Sequence, residues 1–194
     1  MVLTPAQKLV ITGYLSAWDI RIDSLVKGMD FALERMRKLG GYGLYIEHII
    51  LDAQMVEHTI KLLVKGYASK GEILKALGEN SPYESLGLYK VDEDTLGDLL
   101  GRLKSLHVDH SLISKLSRLN GVRKEMIHHL FDGNRDIEKA DRDAKAYIGT
   151  ELAPLIQEVK AAVKKVNNEI VELVKAYDES LLSALDGSRT HISP

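Results

Sequence analysis

The chain of 194 residues contains no cysteine. Disulfide scaffolds, thiolate zinc sites, iron–sulfur clusters and cysteine nucleophiles are therefore excluded as explanations of its function. It has only 4 Pro and 2 Phe, whereas sandwiches and barrels need frequent turns and aromatic strand residues. The composition consequently favours a helical protein over a β-rich one.

Long apolar runs and secretion signals are also missing. The longest uncharged run, Leu9–Trp18, has 10 residues, well short of the ~20 that span a bilayer. The start of the chain lacks a basic segment followed by an apolar run, which is the pattern of a secretory signal. We therefore expect a cytoplasmic protein that makes no membrane contact. The formal net charge of −2 gives no overall attraction to nucleic acid.

The chain does have helical periodicity, with apolar residues at spacings of three and four. The first helix is predicted to begin at Thr4, which forms a capping box with Gln7, and to end at Gly41. A second helix begins near Gly43 and packs antiparallel to the first. The pattern then weakens, and we expect a short separate helix over Glu72–Leu77.

Three further helices are predicted in the second half. One follows Asp92, the next is capped by Asp109, and the last begins at Asp136, with a kink or a fresh start at Pro154. The last helix carries an apolar seam that needs a partner helix, either from the bundle or from a second chain. The seam consists of Leu152, Ile156, Val159, Val163, Val166, Ile170, Leu173 and Tyr177.

The predicted fold class is therefore all-α, an up-and-down bundle of five or six helices. We assign residues 1–150 to the bundle and 151–186 to a long amphipathic C-terminal helix packed on the bundle or on a partner. Residues 187–194 are predicted to form a flexible tail.

Basic residues concentrate in one part of the chain. Between Arg102 and Lys124 there are six Lys or Arg and a single acid, Asp109. Such a stretch suits a phosphate-bearing partner, although a solvated helix face produces the same pattern.

The most informative segment, Arg123 to His128, closes this stretch with an arginine, four residues and a histidine. It resembles the Arg-x(4–6)-His motif of the HEPN superfamily, all-helical domains that include RNA-cleaving toxins and defence ribonucleases. Glu57 and Lys61 match the Glu-x-x-x-Lys pattern of that family's second helix. The resemblance covers about residues 1 to 150 and implies a HEPN-like fold.

The resemblance implies a metal-independent endoribonuclease in which the RNA 2′-hydroxyl attacks the adjacent phosphate, with no cofactor. His128 would transfer protons and Arg123 would stabilise charge on the phosphorane. It also implies a homodimer in which both motifs line one cleft, RNA as substrate, and an antitoxin or other partner protein. Helix geometry suits a composite site, because residues five apart on one helix lie roughly 140° apart.

Neighbouring residues supply possible supporting groups and two departures from the family pattern. Lys124, His129 and Arg118 are candidates for supporting roles. Lys124 stands where the family commonly has Asn, Asp or His, and it disfavours an imidazolium four residues later. Leu130 stands where toxins paired with nucleotidyltransferase antitoxins have Tyr, which argues against inactivation by AMPylation.

Two alternatives remain open. Arg123 falls within the apolar stripe of its helix, so it either faces a cleft or pairs with a buried acid as a structural anchor. In the second case the chain is a catalytically inactive bundle that binds RNA, a nucleotide or a protein partner. A metal site is not predicted, because Glu125-x-x-His128 has no second copy in the chain. His107 and His110 with Asp109 would bind a metal only adventitiously.

Overall fold

The computed structural model describes residues 3–41, 43–83, 91–131, 136–178 and 181–182, without the side chains of residues 25, 26, 29, 30, 33, 36, 39 and 129–131. All regular structure in these ranges is helical, which confirms the predicted all-α class. The helices are α1 (Pro5–Gly41), α2 (Tyr45–Ala76), α3 (Leu96–Ser105), α4 (His110–Phe131), α5 (Ile137–Tyr147) and α6 (Ala153–Asp178).

A π-helical turn, Ile148–Leu152, joins α5 to α6. The three segments form one continuous C-terminal helix of 42 residues, so the described chain is a bundle of five helices. Pro154, which has no N–H to donate, lies two residues after this wider turn, and the helix continues through it. The fresh start predicted at Pro154 is therefore not observed.

The first helix begins and ends where the sequence predicts. The Thr4 backbone donates to Gln7 Oε1 at 2.8 Å, and the Gln7 backbone donates to Thr4 Oγ1 at 3.3 Å, which completes the capping box. The inner face of α1 buries Ile11, Leu15, Trp18 and Ile22. The continuation of this stripe predicted from the sequence, Leu25, Met29, Leu33 and Met36, lies outside the described side chains.

The prediction of a separate helix over Glu72–Leu77 is wrong, because α2 runs unbroken to Ala76. A side chain at Gly66 would lie 2.6 Å from the Trp18 ring and 2.9 Å from Val166 Cγ1. Gly66 therefore allows the close approach of α1 and α6 to α2.

At Gly71, where the pattern in the sequence weakens, a Cβ would lie 2.7 Å from Ser81 Oγ and 3.0 Å from Tyr83 Cβ, so this glycine makes room for the following segment and does not end the helix. The glycines weaken the periodic signal in sequence, but packing around the helix stabilises it.

Helix α2 occupies the centre of the bundle and packs against all the others. The apolar seam of α6 lies against it within the same chain, so its partner helix belongs to the bundle. Lys70 of α2 pairs with Glu169 of α6 at 2.8 Å, and Trp18 Nε1 of α1 donates to Asn167 Oδ1 at 2.9 Å. The divisions at residues 150/151 and 186/187 stay predictions, and the tail 187–194 lies outside the described residues.

Candidate functional site

The candidate site lies on α4, which Asp109 caps by accepting a hydrogen bond from the Ser111 backbone at 2.8 Å. Leu112, Leu116, Leu119 and Met126 bury one face of this helix in the core. Arg123 lies beside that buried face. It is held between α4 and the central helix rather than on the outer surface.

Arg123 pairs with an acid, as one of the two alternatives from the sequence states. Its Nη1 lies 3.1 Å from Glu57 Oε2 of α2, and its Nη2 donates to Asn120 Oδ1 at 3.2 Å. The side chain of Arg123 is 18% exposed and that of Glu57 20%. Arg123 Nε is buried and has no hydrogen-bond partner. The guanidinium therefore reaches solvent along only part of its edge.

Glu57 makes further contacts that fix this arrangement. Its Oε2 accepts a hydrogen bond from the Leu96 backbone, at the first residue of α3, at 3.1 Å. Its Oε1 lies 3.3 Å from Lys61 Nζ, which also donates to the backbone oxygen of Asp92 at 3.1 Å. We call Glu57, Lys61, Asn120 and Arg123 the Glu57 cluster. Through its contacts with Arg123 and the Leu96 backbone, the Glu57 carboxylate joins α2, α4 and α3.

His128 stands apart from this cluster. It is exposed, and no hydrogen bond or ion pair joins it to any residue that the structure describes. It lies five residues beyond Arg123, which is a rise of roughly 7.5 Å and a turn of roughly 140°. One chain therefore does not bring Arg123 and His128 onto the same helix face.

The three predicted supporting residues are scattered. Lys124 is exposed, and the side chain of His129 lies outside the described residues. Arg118 is exposed and pairs with Glu151 of the π turn at 2.7 Å. It lines a cleft of about 660 Å³ between α4 and α5, together with Glu125 and Lys139. This cleft does not include Arg123, so Arg118 and Arg123 do not share a site.

The basic stretch of the sequence forms ion pairs in the fold. Arg102 pairs with Asp94, Lys115 with Glu158, Arg118 with Glu151 and Arg123 with Glu57. Four of its six cations are thus neutralised by acids from other parts of the chain. The stretch presents less positive charge to a partner than the sequence suggests.

Sequence reasoning did not identify a second polar pair on α2, formed by the partly exposed His48 and the buried Asp52. Asp52 is 3% exposed, and its Oδ2 lies 3.4 Å from His48 Nε2. Burial raises the pKa of Asp52 to about 7 and lowers the pKa of His48, because a low-dielectric interior disfavours both charged forms. The sequence contains a signal for this pair. Asp52 falls within the apolar stripe of α2, and His48 precedes it by four residues, which makes the two side chains neighbours on a helix.

No group of three histidine or acidic side chains among the described residues is placed to hold a metal ion. No helix of the described part combines the length and the apolar character needed to cross a bilayer. Comparison of the chain with protein-family models, curated proteins and solved structures returned no match.

Proposed function

We propose that this chain is a HEPN-like, metal-independent endoribonuclease whose active site is completed by two copies of Arg123 and His128 in a homodimer. One observation carries the proposal. The two segments that resemble the family, Glu57-x-x-x-Lys61 and Arg123-x4-His128, are 66 residues apart and meet in an ion pair of 3.1 Å. This contact brings both parts of the resemblance together at one place, where α4 packs against α2.

The Glu57 cluster suits the role of a fixed phosphate anchor. It contains two cations, Lys61 and Arg123, and one anion, Glu57, so it keeps a formal charge of +1 after pairing. A guanidinium has five N–H donors, and the contacts to Glu57 and Asn120 engage both of its terminal nitrogens without exhausting them. The cluster therefore holds Arg123 in one orientation and leaves donors for a phosphate oxygen.

His128 would supply the proton transfer from the exposed side of α4. In the proposed step the 2′-oxygen forms a bond to phosphorus while an imidazole takes its proton. The bond from phosphorus to the 5′-oxygen breaks, and that oxygen receives a proton. The products are a 2′,3′-cyclic phosphate and a 5′-hydroxyl. Because His128 faces away from Arg123 in one chain, the partner's copy of the motif would complete the site.

The test is cleavage of a labelled RNA in the presence of a chelator. We expect the unmodified chain to cleave, and Arg123→Ala and His128→Ala to lose about 100-fold or more in rate. Matched controls are His110→Ala, an exposed histidine of the same helix, and Arg142→Ala, an exposed arginine of α5. Equal cleavage by all variants, or loss of cleavage on chelation, would contradict the proposal.

Complementation tests whether the site is composite. A mixture of the Arg123→Ala and His128→Ala chains forms some dimers in which one site has both an intact Arg123 and an intact His128. We expect the mixture to recover part of the activity that each variant lacks. No recovery, with exchange of subunits verified, would show that both residues act from the same chain.

The second candidate is a catalytically inactive bundle that binds RNA, a nucleotide or a protein partner. The specific observation in its favour is that Arg123 already has a carboxylate partner in its own chain and a buried Nε. Lys124 adds a cation beside it that the family pattern does not have. RNA binding measured by fluorescence anisotropy, with no cleavage under any condition, would favour this candidate.

A further inference from the structure

The cleft of about 660 Å³ between α4 and α5, which Arg118 borders, takes no part in the proposed cleavage step. Its volume lies within the roughly 300–1,000 Å³ of ligand pockets, and such pockets occur between the helices of bundles. The π turn forms one wall of this α4–α5 cleft through Thr150 and Glu151. Turns of this kind are rare in helices and occur frequently at functional sites.

The floor of the α4–α5 cleft is apolar. Met126 of α4 and Ala140 of α5 are buried there, and the half-buried Val122 lies in the same lining. An apolar body that enters the cleft would therefore cover this floor and lose contact with water, which favours binding.

Tyr147 adds a polar group to the floor of the α4–α5 cleft. Its side chain lines the cleft, and the residue is only 9% exposed. No residue that the structure describes forms a hydrogen bond with its hydroxyl, although a buried tyrosine hydroxyl usually has a partner. Burial raises the pKa of Tyr147, because desolvation disfavours the phenolate. The hydroxyl therefore keeps its proton near neutral pH, and its oxygen can accept a hydrogen bond from a ligand.

The charged residues of the lining favour a cation over an anion. They are two cations and four acids, with a formal charge of −2: Arg118, Lys139, Glu125, Asp136, Asp143 and Glu151. Arg118 and Glu151 neutralise each other at 2.7 Å. Asp136, Asp143 and Tyr147 follow one another at spacings of seven and four residues, so they share one face of α5. The negative charge thus lies on the same side of the helix as the tyrosine.

From these observations we propose that the α4–α5 cleft binds a small organic cation, with its ammonium group between Asp143 and the Tyr147 hydroxyl and its apolar body on Met126 and Ala140. A carboxylate and a neutral phenol oxygen are both acceptors for an ammonium donor, and a hydrogen bond to the carboxylate is strengthened by charge. The face of the Tyr147 ring also attracts a cation.

The proposed site is separate from Arg123 and His128. Val122, in the lining of the cleft, and His128 are six residues apart, which places them roughly 120° apart around α4. A ligand in the α4–α5 cleft therefore leaves the His128 face open to the second copy that the ribonuclease proposal requires. The inference does not rest on that proposal, because its readout is binding and uses no RNA.

Binding of phenethylamine to the full chain tests the site. An amine of this size is expected to bind with a dissociation constant on the order of 1 mM. Backbone amide signals in NMR spectra should shift at Val122, Asp143 and Tyr147 and stay unchanged in α1. The matched probe is phenylpropanoate, which has the same ring and the opposite charge, and it should bind at least about 10-fold more weakly. No shift at the cleft, or equal binding of the two probes, would overturn the proposal.

Two conservative substitutions test the assigned groups. Asp143→Asn is expected to weaken phenethylamine binding about 10-fold, and Tyr147→Phe about 3-fold to 10-fold. The matched control is Glu138→Gln, which replaces an exposed acid of α5 outside the cleft lining and should bind like the unmodified chain. Circular dichroism checks that each variant keeps its helices. Unchanged affinity in both Asp143→Asn and Tyr147→Phe, with the helices intact, would overturn the assignment of the site to the α4–α5 cleft.

Discussion

Arg123 of α4 and Glu57 of α2 form an ion pair with 3.1 Å between Nη1 and Oε2, and the same carboxylate oxygen accepts the Leu96 backbone N–H of α3. One side chain of the central helix thus fixes both the candidate arginine and the start of a neighbouring helix. The same atoms contribute to folding stability and to the proposed chemistry. The free energy of unfolding and the cleavage rate must therefore be measured separately for each variant.

The first prediction concerns this pair. Arg123→Ala is expected to lower the free energy of unfolding by about 2 kcal/mol. This is less than the 3–5 kcal/mol of a fully buried pair, because Glu57 keeps Lys61 and the Leu96 N–H as partners. Urea denaturation measures it. A double-mutant cycle with Glu57→Gln should show a coupling of about 1 kcal/mol. Additive single effects would show that the contact contributes nothing to stability.

Gly66 provides the second prediction. Gly66→Ala is expected to lower the free energy of unfolding by about 1–3 kcal/mol, because its methyl group would overlap the Trp18 ring and Val166. The control is Gly101→Ala in α3, where a Cβ meets nothing within 4 Å. That substitution should stabilise the protein by about 0.5–1 kcal/mol through helix propensity. Equal effects at the two sites would show that the helices can separate at Gly66 without cost.

The third prediction concerns the pH dependence that Asp52 confers. Its pKa of about 7 in the fold lies above the ~3.9 of an unfolded aspartate. Between these values the unfolded chain binds fewer protons than the folded one. Stability from this group is therefore complete below about pH 4 and is lost as the pH rises to about 7.

Asp52→Asn removes the ionisable carboxyl group and should therefore remove this loss of stability at high pH. We expect the variant to be more stable than the unmodified chain at pH 8, by an amount on the order of a few kcal/mol, and similar to it near pH 4. The lowered pKa of His48 acts in the opposite direction below about pH 6.5 and is present in both proteins, so the comparison largely removes it. Parallel pH profiles for the two proteins would contradict the prediction.

The fourth prediction concerns the start of α2, whose own N-cap residue, Leu44, provides no side-chain cap. Asp141 of α5 substitutes for it, since its Oδ1 accepts hydrogen bonds from the Tyr45 and Ile46 backbones at 2.8 and 3.1 Å. Asp141→Ala is expected to lower the free energy of unfolding by about 1 kcal/mol, the usual value of an N-cap. Asp143→Ala, an exposed neighbour, should change it by less than about 0.5 kcal/mol. Thermal or urea unfolding distinguishes the two.

The fold was predictable where local chemistry determines it. The Thr4 capping box, the cap at Asp136 and the three-and-four spacing depend on residues close in sequence, and these predictions agree with the helices observed. The continuity of α2 was not predictable in this way. Gly71, at the predicted break, leaves room for Ser81 and Tyr83 of the segment that follows α2. Sequence spacing alone does not distinguish such a glycine from a helix end.

The candidate site was predictable only in part. The position of Arg123 within an apolar stripe indicates a buried partner, and Glu57 was identified through the resemblance to the HEPN pattern. The ion pair between them depends on how α4 packs against α2, and so do the pairings of Arg118 and Lys115 with acids of the C-terminal helix. Ion pairs between helices leave no periodic pattern in the sequence. For this reason the sequence predicts a more exposed basic stretch than the structure has.

The π turn determines which side of the long C-terminal helix faces the core. Buried residues before it are Ala140, Ala144 and Tyr147, and those after it continue from Leu152 and Leu155. The step across the turn is five residues where the rest of the helix uses three or four. Deleting one residue there, such as the exposed Gly149, would restore a four-residue step and leave both apolar faces on the core. The helix can thus lose a residue at this turn without rotating half of its core face into solvent.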